Sequence, residues 1–178
     1  MNSTQVKLKV FDDIIPFWLR LELFQFCSYS TFTLGWADLP KPDEKHTPNL
    51  HSTWDQDDLS KSGIIPYIDK CIDQTSWFNS KVLKTVELNM ITSNDVHYIH
   101  THPQQNVALY YVNMNWKDGW YGETMFHNEY DIDDVIFTSV YKPGRIILFD
   151  GHIPHAIRPQ SINGPKFRLS LSLIFENN

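Results

Sequence analysis

The residues best suited to chemistry in this sequence are three histidines, His100, His102 and His155. His100 and His102 are two positions apart in residues 96–102, a run with the composition of a β-strand. Residues two apart in a strand project from the same face, so the two imidazoles are expected to point together. His155 follows the end of another predicted strand, and imidazoles from two strands can hold one metal ion. Imidazole suits Zn, Cu, Fe and Ni alike, so the metal is left open.

The alternative is that these are ordinary histidines with no ligand role. The chain has 8 histidines, and a single histidine is more often a surface or packed residue than a metal ligand. The His-x-His spacing by itself leaves the two interpretations balanced, so the surrounding sequence has to decide between them.

A second polar pattern lies in the last predicted strand, residues 168–175. There Arg168, Ser170 and Ser172 alternate with leucines, so polar and apolar side chains take opposite faces. The polar face is expected either to contact water or to line a polar cavity inside a barrel. In a cavity Arg168 can bind a carboxylate through two parallel hydrogen bonds, with Ser170 adding another. Alternation alone favours the water-facing alternative.

The first part of the chain is predicted to be helical. Acidic residues followed by Pro16 are typical of a helix start. Phe17, Leu21 and Phe24 follow at helical spacing, which predicts an amphipathic helix over residues 14–27.

After this helix, residues 39–62 are rich in Pro, Asp, Lys and Ser and lack periodicity, so they are predicted to form a long surface excursion. A short helix is expected over residues 65–75.

From about residue 80 onwards the pattern is that of β-structure, with short apolar or alternating runs separated by turn residues. The predicted strands cover residues 82–92, 96–102, 107–113, 122–126, 135–141, 145–149, 155–158 and 168–175. Short strands at regular spacing predict a sandwich or barrel. Helices followed by strands indicate an α+β class with a jelly-roll-like core. We expect one domain over residues 1–178, with a helical support region and loop over 1–80 and the core over 81–178.

Composition excludes several other classes of protein. A net charge of -6 without a basic run does not indicate a nucleic-acid-binding surface. No apolar run approaches the ~20 residues of a membrane helix, and the N-terminus lacks the features of a signal peptide. Cys27 and Cys71 are not spaced for a thiolate zinc site or a disulfide framework. We therefore expect a soluble, cytoplasmic protein with no nucleic-acid or membrane partner.

Four blocks of sequence stand in a distinctive order. They are Tyr-Tyr-Val-Asn-Met-Asn-Trp at 110–116, Trp-Tyr-Gly-Glu-Thr-Met-Phe at 120–126, Pro-Gly-Arg-Ile-Ile-Leu-Phe-Asp-Gly-His-Ile-Pro-His at 143–155, and Arg-Leu-Ser at 168–170. Together they resemble successive blocks of the prolyl-4-hydroxylase-like iron(II)/2-oxoglutarate-dependent oxygenases, and the match extends from about residue 85 to the C-terminus. The resemblance implies a double-stranded β-helix (jelly-roll) with N-terminal support helices.

The resemblance also implies roles for particular residues. His100 and His155 match iron ligands, and Arg168, with Ser170 beside it, matches the basic residue that binds the far carboxylate of 2-oxoglutarate. Tyr111 matches a tyrosine that lines the cosubstrate pocket. The implied cofactors are Fe(II) and 2-oxoglutarate. The implied reaction uses dioxygen to hydroxylate a peptidyl proline or a small molecule, with succinate and carbon dioxide as coproducts. The substrate and the oligomeric state are left open.

His102 departs from the family's pattern, which has His-x-Asp at this position. His102 can itself ligate, giving a three-histidine site, or a water or anion can fill the position of the carboxylate. A third interpretation is that the residues are registered differently and iron is not bound productively, with Asp95 as a distant substitute. The first interpretation is favoured, so His100, His102 and His155 are the predicted metal ligands.

The substrate entrance is expected to be shaped by the excursion at residues 39–62 and by residues 119–121. Aromatic side chains near these segments are candidate walls of the entrance or, equally, core residues: Trp54, Trp116, Trp120 and Tyr121.

Two other functions compete with the oxygenase prediction. A cupin-type dioxygenase with three histidines and Glu123 would need no 2-oxoglutarate, but it leaves Arg168 and Ser170 unexplained. A degenerate oxygenase scaffold could act as a binding module. Conversion of 2-oxoglutarate to succinate separates the first function from the other two.

Overall fold

A computed structural model of the protein describes residues 6–35, 50–78, 82–95 and 98–176. These residues form three helices, α1 (Phe17–Ser28), α2 (Gln56–Ser62) and α3 (Ile65–Asp73). They also form ten strands: β1 (Leu8–Phe11), β2 (Thr33–Leu34), β3 (Leu50–Thr53), β4 (Val82–Ile91), β5 (Gln105–Tyr111), β6 (Thr124–Asn128), β7 (Asp131–Ser139), β8 (Ile146–Asp150), β9 (His155–Ile157) and β10 (Arg168–Glu176).

The strands described form two antiparallel sheets. The larger has the order β1-β8-β5-β10-β4-β3-β2, and the smaller has the order β7-β6-β9. Apolar side chains from the two sheets pack in one cluster, in which Val107 and Ile147 of the larger sheet meet Phe126 of the smaller. The sheets therefore face each other as in a jelly-roll, which is the α+β arrangement predicted from the strand pattern.

A second core fills the outer side of the larger sheet. The helices contribute Leu19, Leu23 and Ile68, which pack in the same cluster as Leu88 and Leu171 of the sheet. Each central strand of this sheet is thus covered on both sides, by helices on one face and by the smaller sheet on the other. Side chains that point between the sheets are shielded from water whatever their polarity.

Helix α1 lies close to the range predicted, residues 14–27, but two of the residues whose spacing predicted it are not on its buried face. Its buried side chains are Leu19, Leu23 and Cys27, whereas Phe17 is 67% exposed and Leu21 is 41% exposed. Apolar residues occupy more than one side of this helix, so the spacing of Phe17 and Leu21 alone did not identify the side that faces the sheet.

The surface excursion predicted over residues 39–62 is wrong for its second half. Residues 50–62 contain β3 and then α2, while residues 39–49 lie outside the described residues. The side chain of Asp55 accepts hydrogen bonds from the first turn of α2, and the side chain of Asp58 accepts one from the backbone of Asp55. This capping box favours the start of a helix, which the polar composition of residues 50–62 alone did not indicate.

The N-terminal region supplies strands as well as helices. β1 pairs with β8, and β2 and β3 extend the larger sheet beyond β4. The strand predicted over residues 96–102 is also wrong in part: positions 96 and 97 lie outside the described residues, and His100 forms an isolated bridge to His155 rather than a strand. No helix in the described part of the chain is long and apolar enough to span a membrane.

Candidate metal centre and cosubstrate pocket

Backbone pairing brings the predicted metal ligands together. His100 donates its N–H to the carbonyl of His155 and accepts from the N–H of His155, with both distances 3.0 Å. Two residues later, His102 donates to the carbonyl of Gly151 at 2.7 Å. The segment is too irregular to be a strand, but these bonds hold it against the loop between β8 and β9 and the start of β9.

The three imidazoles converge on one point. One nitrogen from each of His100, His102 and His155 lies within 4.8 Å of the other two. His102 and His155 are buried, and His100 is half-buried. The arrangement offers three neutral nitrogen donors from a rigid frame, which suits a divalent transition metal.

The orientation of the His155 ring leaves one of its two nitrogens available to ligate a metal ion. Its Nδ1 lies 2.9 Å from the carbonyl oxygen of Ile153, and when Nδ1 donates in this bond, Nε2 is the nitrogen that can ligate a metal. Burial, together with neighbouring His100 and His102, holds the pKa of His155 well below its usual range. The side chain is therefore neutral at pH 7, the form in which imidazole ligates a metal.

Arg168 lies fully buried at the start of β10, in the space between the two sheets. Its Nε donates to the carbonyl of Gly122 at 2.8 Å, Nη1 donates to Ser170 Oγ at 3.0 Å, and Nη2 donates to Thr124 Oγ1 at 3.2 Å. All three acceptors are neutral, and among the described residues no carboxylate pairs with the guanidinium. Burial lowers the pKa of Arg168. The charge of Glu123 acts in the opposite direction to burial, and an anion in direct contact with the guanidinium would relieve more of the cost of burying it.

The burial of Arg168 and Ser170 decides between the two alternatives for β10. Both are 0% exposed, and the leucines that alternate with them pack on the helical side of the sheet. The polar face of this strand therefore lines the interior of the jelly-roll and does not contact water.

Aromatic side chains surround the guanidinium of Arg168. The rings of Tyr111 and Tyr141 stack with centroids 4.4 Å apart, and the guanidinium carbon of Arg168 lies 5.1 and 4.9 Å from the two centroids. Trp116 packs on Tyr141 at 4.1 Å. At Gly122, whose φ is +82°, an added Cβ would lie 2.7 Å from the Trp116 ring, so only glycine permits this close approach.

A cavity of about 40 Å³ joins the imidazoles to the polar interior. It has room for a metal ion and a few waters. Its wall includes the three histidines and, from the strands around them, Glu87, Asn89, Val107, Leu109, Thr124, Phe149, Ile157 and Ser172. Thr124 links this cavity to the arginine, because its Oγ1 accepts from Arg168 and lies 2.7 Å from the donating hydroxyl of Tyr111.

Several other candidate residues lie away from this site. Trp54 is a core residue that packs edge-on against Phe26 at 5.1 Å, so it is not an entrance wall. Glu123 is absent from the histidine cluster among the described residues, and one of its carboxylate oxygens lies 4.0 Å from Arg158. Asp95 accepts a hydrogen bond within its own turn. The ligand set of the cupin-type alternative, which needed Glu123, is therefore not formed.

The sequence did not identify four residues of the site. Thr124 and Tyr141 are neutral and have no distinctive spacing. Glu87 and Asn89 alternate with apolar residues of β4, a pattern that also describes a strand with one face in water. Their position beside the histidines becomes visible only when both sheets are in place.

The comparisons with known proteins agree on the fold. No protein-family model matches this sequence, and no curated protein matches it significantly. A prolyl hydroxylase from Trichoplax adhaerens, solved in complex with a hypoxia inducible factor oxygen degradation domain peptide fragment, matches with a TM-score of 0.71 at 14% identity. The match covers 97% of this chain and 84% of that chain.

Two further solved structures extend this similarity. A Pseudomonas putida prolyl-4-hydroxylase matches with a TM-score of 0.69 at 16% identity, over 98% of this chain and 94% of that chain. HygX from Streptomyces hygroscopicus, solved with nickel and 2-oxoglutarate bound, matches with a TM-score of 0.63 at 8% identity, over 97% of this chain and 84% of that chain. The chain thus has the double-stranded β-helix fold of the 2-oxoglutarate/Fe(II) oxygenases, as predicted. Fe(II) and 2-oxoglutarate, the cofactors predicted from the sequence, are those of this structural class.

Proposed function

We propose that this protein is an iron- and 2-oxoglutarate-dependent oxygenase that hydroxylates a small molecule or a peptide. One observation carries the proposal: a cluster of three imidazoles and a buried arginine, to which no carboxylate is hydrogen-bonded among the described residues, face the same interior between the two sheets. The imidazoles suit a divalent metal, and the guanidinium suits the carboxylate of a ligand that also reaches the metal. Fold similarity alone would not support an activity, because one fold serves many functions.

In this proposal His100, His102 and His155 hold the metal ion. Iron with bound 2-oxoglutarate and dioxygen supplies an oxidative decarboxylation to succinate and carbon dioxide, coupled to hydroxylation of a C–H bond of the substrate. The Ile153 carbonyl fixes the ring of His155 through Nδ1, so the metal-facing nitrogen needs little reorientation on binding.

Arg168 binds the far carboxylate of 2-oxoglutarate. The cosubstrate is larger than a cavity of about 40 Å³, so we expect the cavity to extend past Thr124 when it binds. Arg168 would then exchange its bonds to Ser170 and Thr124 for charge-assisted bonds to the carboxylate, and the two hydroxyls would be free to donate to the same group. The stacked rings of Tyr111 and Tyr141 would close this end of the pocket against water.

The experiment that tests the proposal measures succinate. Anaerobically purified protein is supplied with Fe(II), 2-oxoglutarate and air, and succinate is quantified against a sample without metal and against His155→Ala. Succinate that requires both the metal and His155 is the expected result. Binding of metal and 2-oxoglutarate without any succinate would instead indicate a binding module on an oxygenase fold.

The third imidazole favours a second candidate, a three-histidine dioxygenase that needs no 2-oxoglutarate. Such an enzyme would also bind one metal ion at His100, His102 and His155, but Arg168→Ala would not affect binding of 2-oxoglutarate. Calorimetry of 2-oxoglutarate binding to the zinc-loaded protein separates the two candidates, because zinc permits binding without turnover.

A further inference from the structure

The cavity beside the three imidazoles also contains a carboxylate, that of Glu87 on β4. Glu87 forms part of the same wall as His100, His102 and His155. It is only 8% exposed. A carboxylate buried beside a candidate cation site is little screened by water, so its charge can act on a bound ion.

The packing of β4 shows why this side chain points inward. Val86 and Leu88 pack on the helical side of the larger sheet, so Glu87 between them points to the opposite side, towards the smaller sheet. Directly across the strand pair, Glu87 faces Ser172 of β10, which lines the same cavity. The backbone that positions Glu87 is therefore a central pair of strands.

Without Glu87, the ligands predicted for the metal ion contribute no negative charge. A divalent ion held by three neutral imidazoles keeps its full double charge, because His102 stands where a His-x-Asp sequence would supply a carboxylate. In a site shielded from water, the attraction between such an ion and a nearby carboxylate is strong.

We propose that Glu87 provides, from β4, the negative charge that His102 does not provide in the ligand set. This inference rests on the proposed function, since it takes the metal ion to lie at the three histidines. Glu87 lies outside the group of donor atoms within 4.8 Å of one another, so it acts as a positioning residue that stabilises the ion through its charge.

The test measures metal affinity rather than turnover. Binding of Zn²⁺ and Co²⁺ to the full-length protein is measured by competition with a chromophoric chelator, for wild type and for Glu87→Gln, which keeps the shape and removes the charge. We expect Glu87→Gln to bind about 10–100-fold more weakly, the effect typical of partners just outside a ligand set. Glu123→Gln is the matched control. Glu123 directly precedes β6 and lies beside Arg158, and it does not line the cavity.

The Glu87→Gln substitution in a His102→Asp protein tests whether the effect of Glu87 on metal affinity depends on its charge. In a His102→Asp protein a ligand already carries the negative charge, so Glu87→Gln should cost much less affinity there than in wild type. An equal loss in both backgrounds would overturn the inference. Glu87→Asp, which keeps the charge, should retain most of the wild-type affinity, and this variant also decides the matter if Glu87→Gln does not fold.

The outcomes distinguish this inference from the proposed function. Wild type and Glu87→Gln with equal affinities, together with loss of binding in His155→Ala, would overturn the role of Glu87 and leave the metal site in place. If wild type binds no metal through His155, the proposed function fails and the inference fails with it.

Discussion

The backbones of His100 and His155 exchange two hydrogen bonds, each 3.0 Å long. This pairing places two imidazoles from distant parts of the chain with ring centroids 4.3 Å apart. The loop that carries His102 is fixed to the same region through Gly151. Because backbone hydrogen bonds fix these segments, the loss of one imidazole should act on metal affinity through the ligand set rather than through the fold.

Replacement of His155 by alanine should abolish metal binding. The variant removes the most enclosed of the three imidazoles and leaves two ligands, one of them half-buried. Wild type should retain one divalent ion per chain after dialysis, and His155→Ala should retain none by elemental analysis. His152→Ala is the control, because His152 is exposed and its Nε2 accepts from the backbone of Gln104. Equal metal content in wild type and His155→Ala would contradict the assignment.

Replacement of Arg168 by alanine should weaken binding of 2-oxoglutarate to the zinc-loaded protein by about 1.5–3 kcal/mol, the range for a hydrogen bond to a charged group. Calorimetry measures the affinity, and circular dichroism checks that the variant is folded. Arg158→Ala is the control, since Arg158 lies over the ring of Tyr121 and outside the interior cavity. A folded Arg168→Ala protein with unchanged affinity would place the carboxylate elsewhere.

The start of β10 depends on the hydroxyl of Tyr141. This hydroxyl accepts from the backbone N–H of Asn113 at 2.9 Å and donates to the carbonyl of Leu169 at 2.6 Å, and the whole group is buried. Tyr141→Phe leaves the N–H of Asn113 buried without this acceptor, whereas the carbonyl of Leu169 keeps its bond from the N–H of Val112. The variant should therefore lower the free energy of unfolding by about 1–3 kcal/mol. Urea denaturation measures the change. Metal content should stay at the wild-type level, because the hydroxyl is at the arginine end of the site; a loss of metal would show that the two ends are coupled.

The sequence predicted the core strands well because their residues are unambiguous. β5 and β8 are short, mostly apolar runs buried on both faces and bounded by turn residues, and such runs are typical of central strands. β2 has two residues and β3 has four with mixed polarity, so neither carries a pattern long enough to recognise. Their pairing with β4 depends on the rest of the sheet.

The same ambiguity affected two charged residues of the site. Arg168 and Glu87 each alternate with leucine or valine along a strand, and that alternation describes a water-facing surface as well as a polar cavity. Resemblance to a family resolved the choice for Arg168. Nothing in the sequence resolved it for Glu87, because the second sheet that covers it is built from residues about 40 or more positions later in the chain.

The ion pair between Asp12 and Arg145 should make stability depend on pH. Arg145 donates to both carboxylate oxygens of Asp12, at 2.8 and 2.9 Å, and so ties the end of β1 to the start of β8. The hydrogen bonds from Arg145 have the largest effect on the pKa of Asp12 and lower it. Burial raises this pKa and Lys142 lowers it, so the net shift is downwards. A carboxyl with a lowered folded pKa stabilises the protein above its unfolded pKa, ~3.9, and loses that contribution as pH falls through the folded value.

Asp12→Asn should therefore lower the free energy of unfolding by about 1 kcal/mol at pH 6, because a partly exposed ion pair contributes little more than that. The loss should become smaller as the pH falls below ~3.9, the pKa of an unfolded aspartate. Urea denaturation at a series of pH values measures the difference. Asp13→Asn is the control, since Asp13 is largely exposed and only approaches Lys142 at 3.5 Å. A difference between wild type and Asp12→Asn that does not change with pH would mean that the pair contributes through packing rather than through charge.

Replacement of His102 by aspartate tests whether His102 is a ligand. Aspartate restores a carboxylate among the ligands, so the variant should bind Fe(II) at least as tightly as wild type and form succinate at least as fast. His102→Ala removes the ligand without a replacement and should bind metal more weakly than either. The fold should survive both changes, because the contact of residue 102 with Gly151 is through the backbone. Metal content and succinate formation are measured for the three proteins. If all three retain the same amount of metal, His102 does not ligate, and a two-histidine site completed by water or an anion becomes the better description.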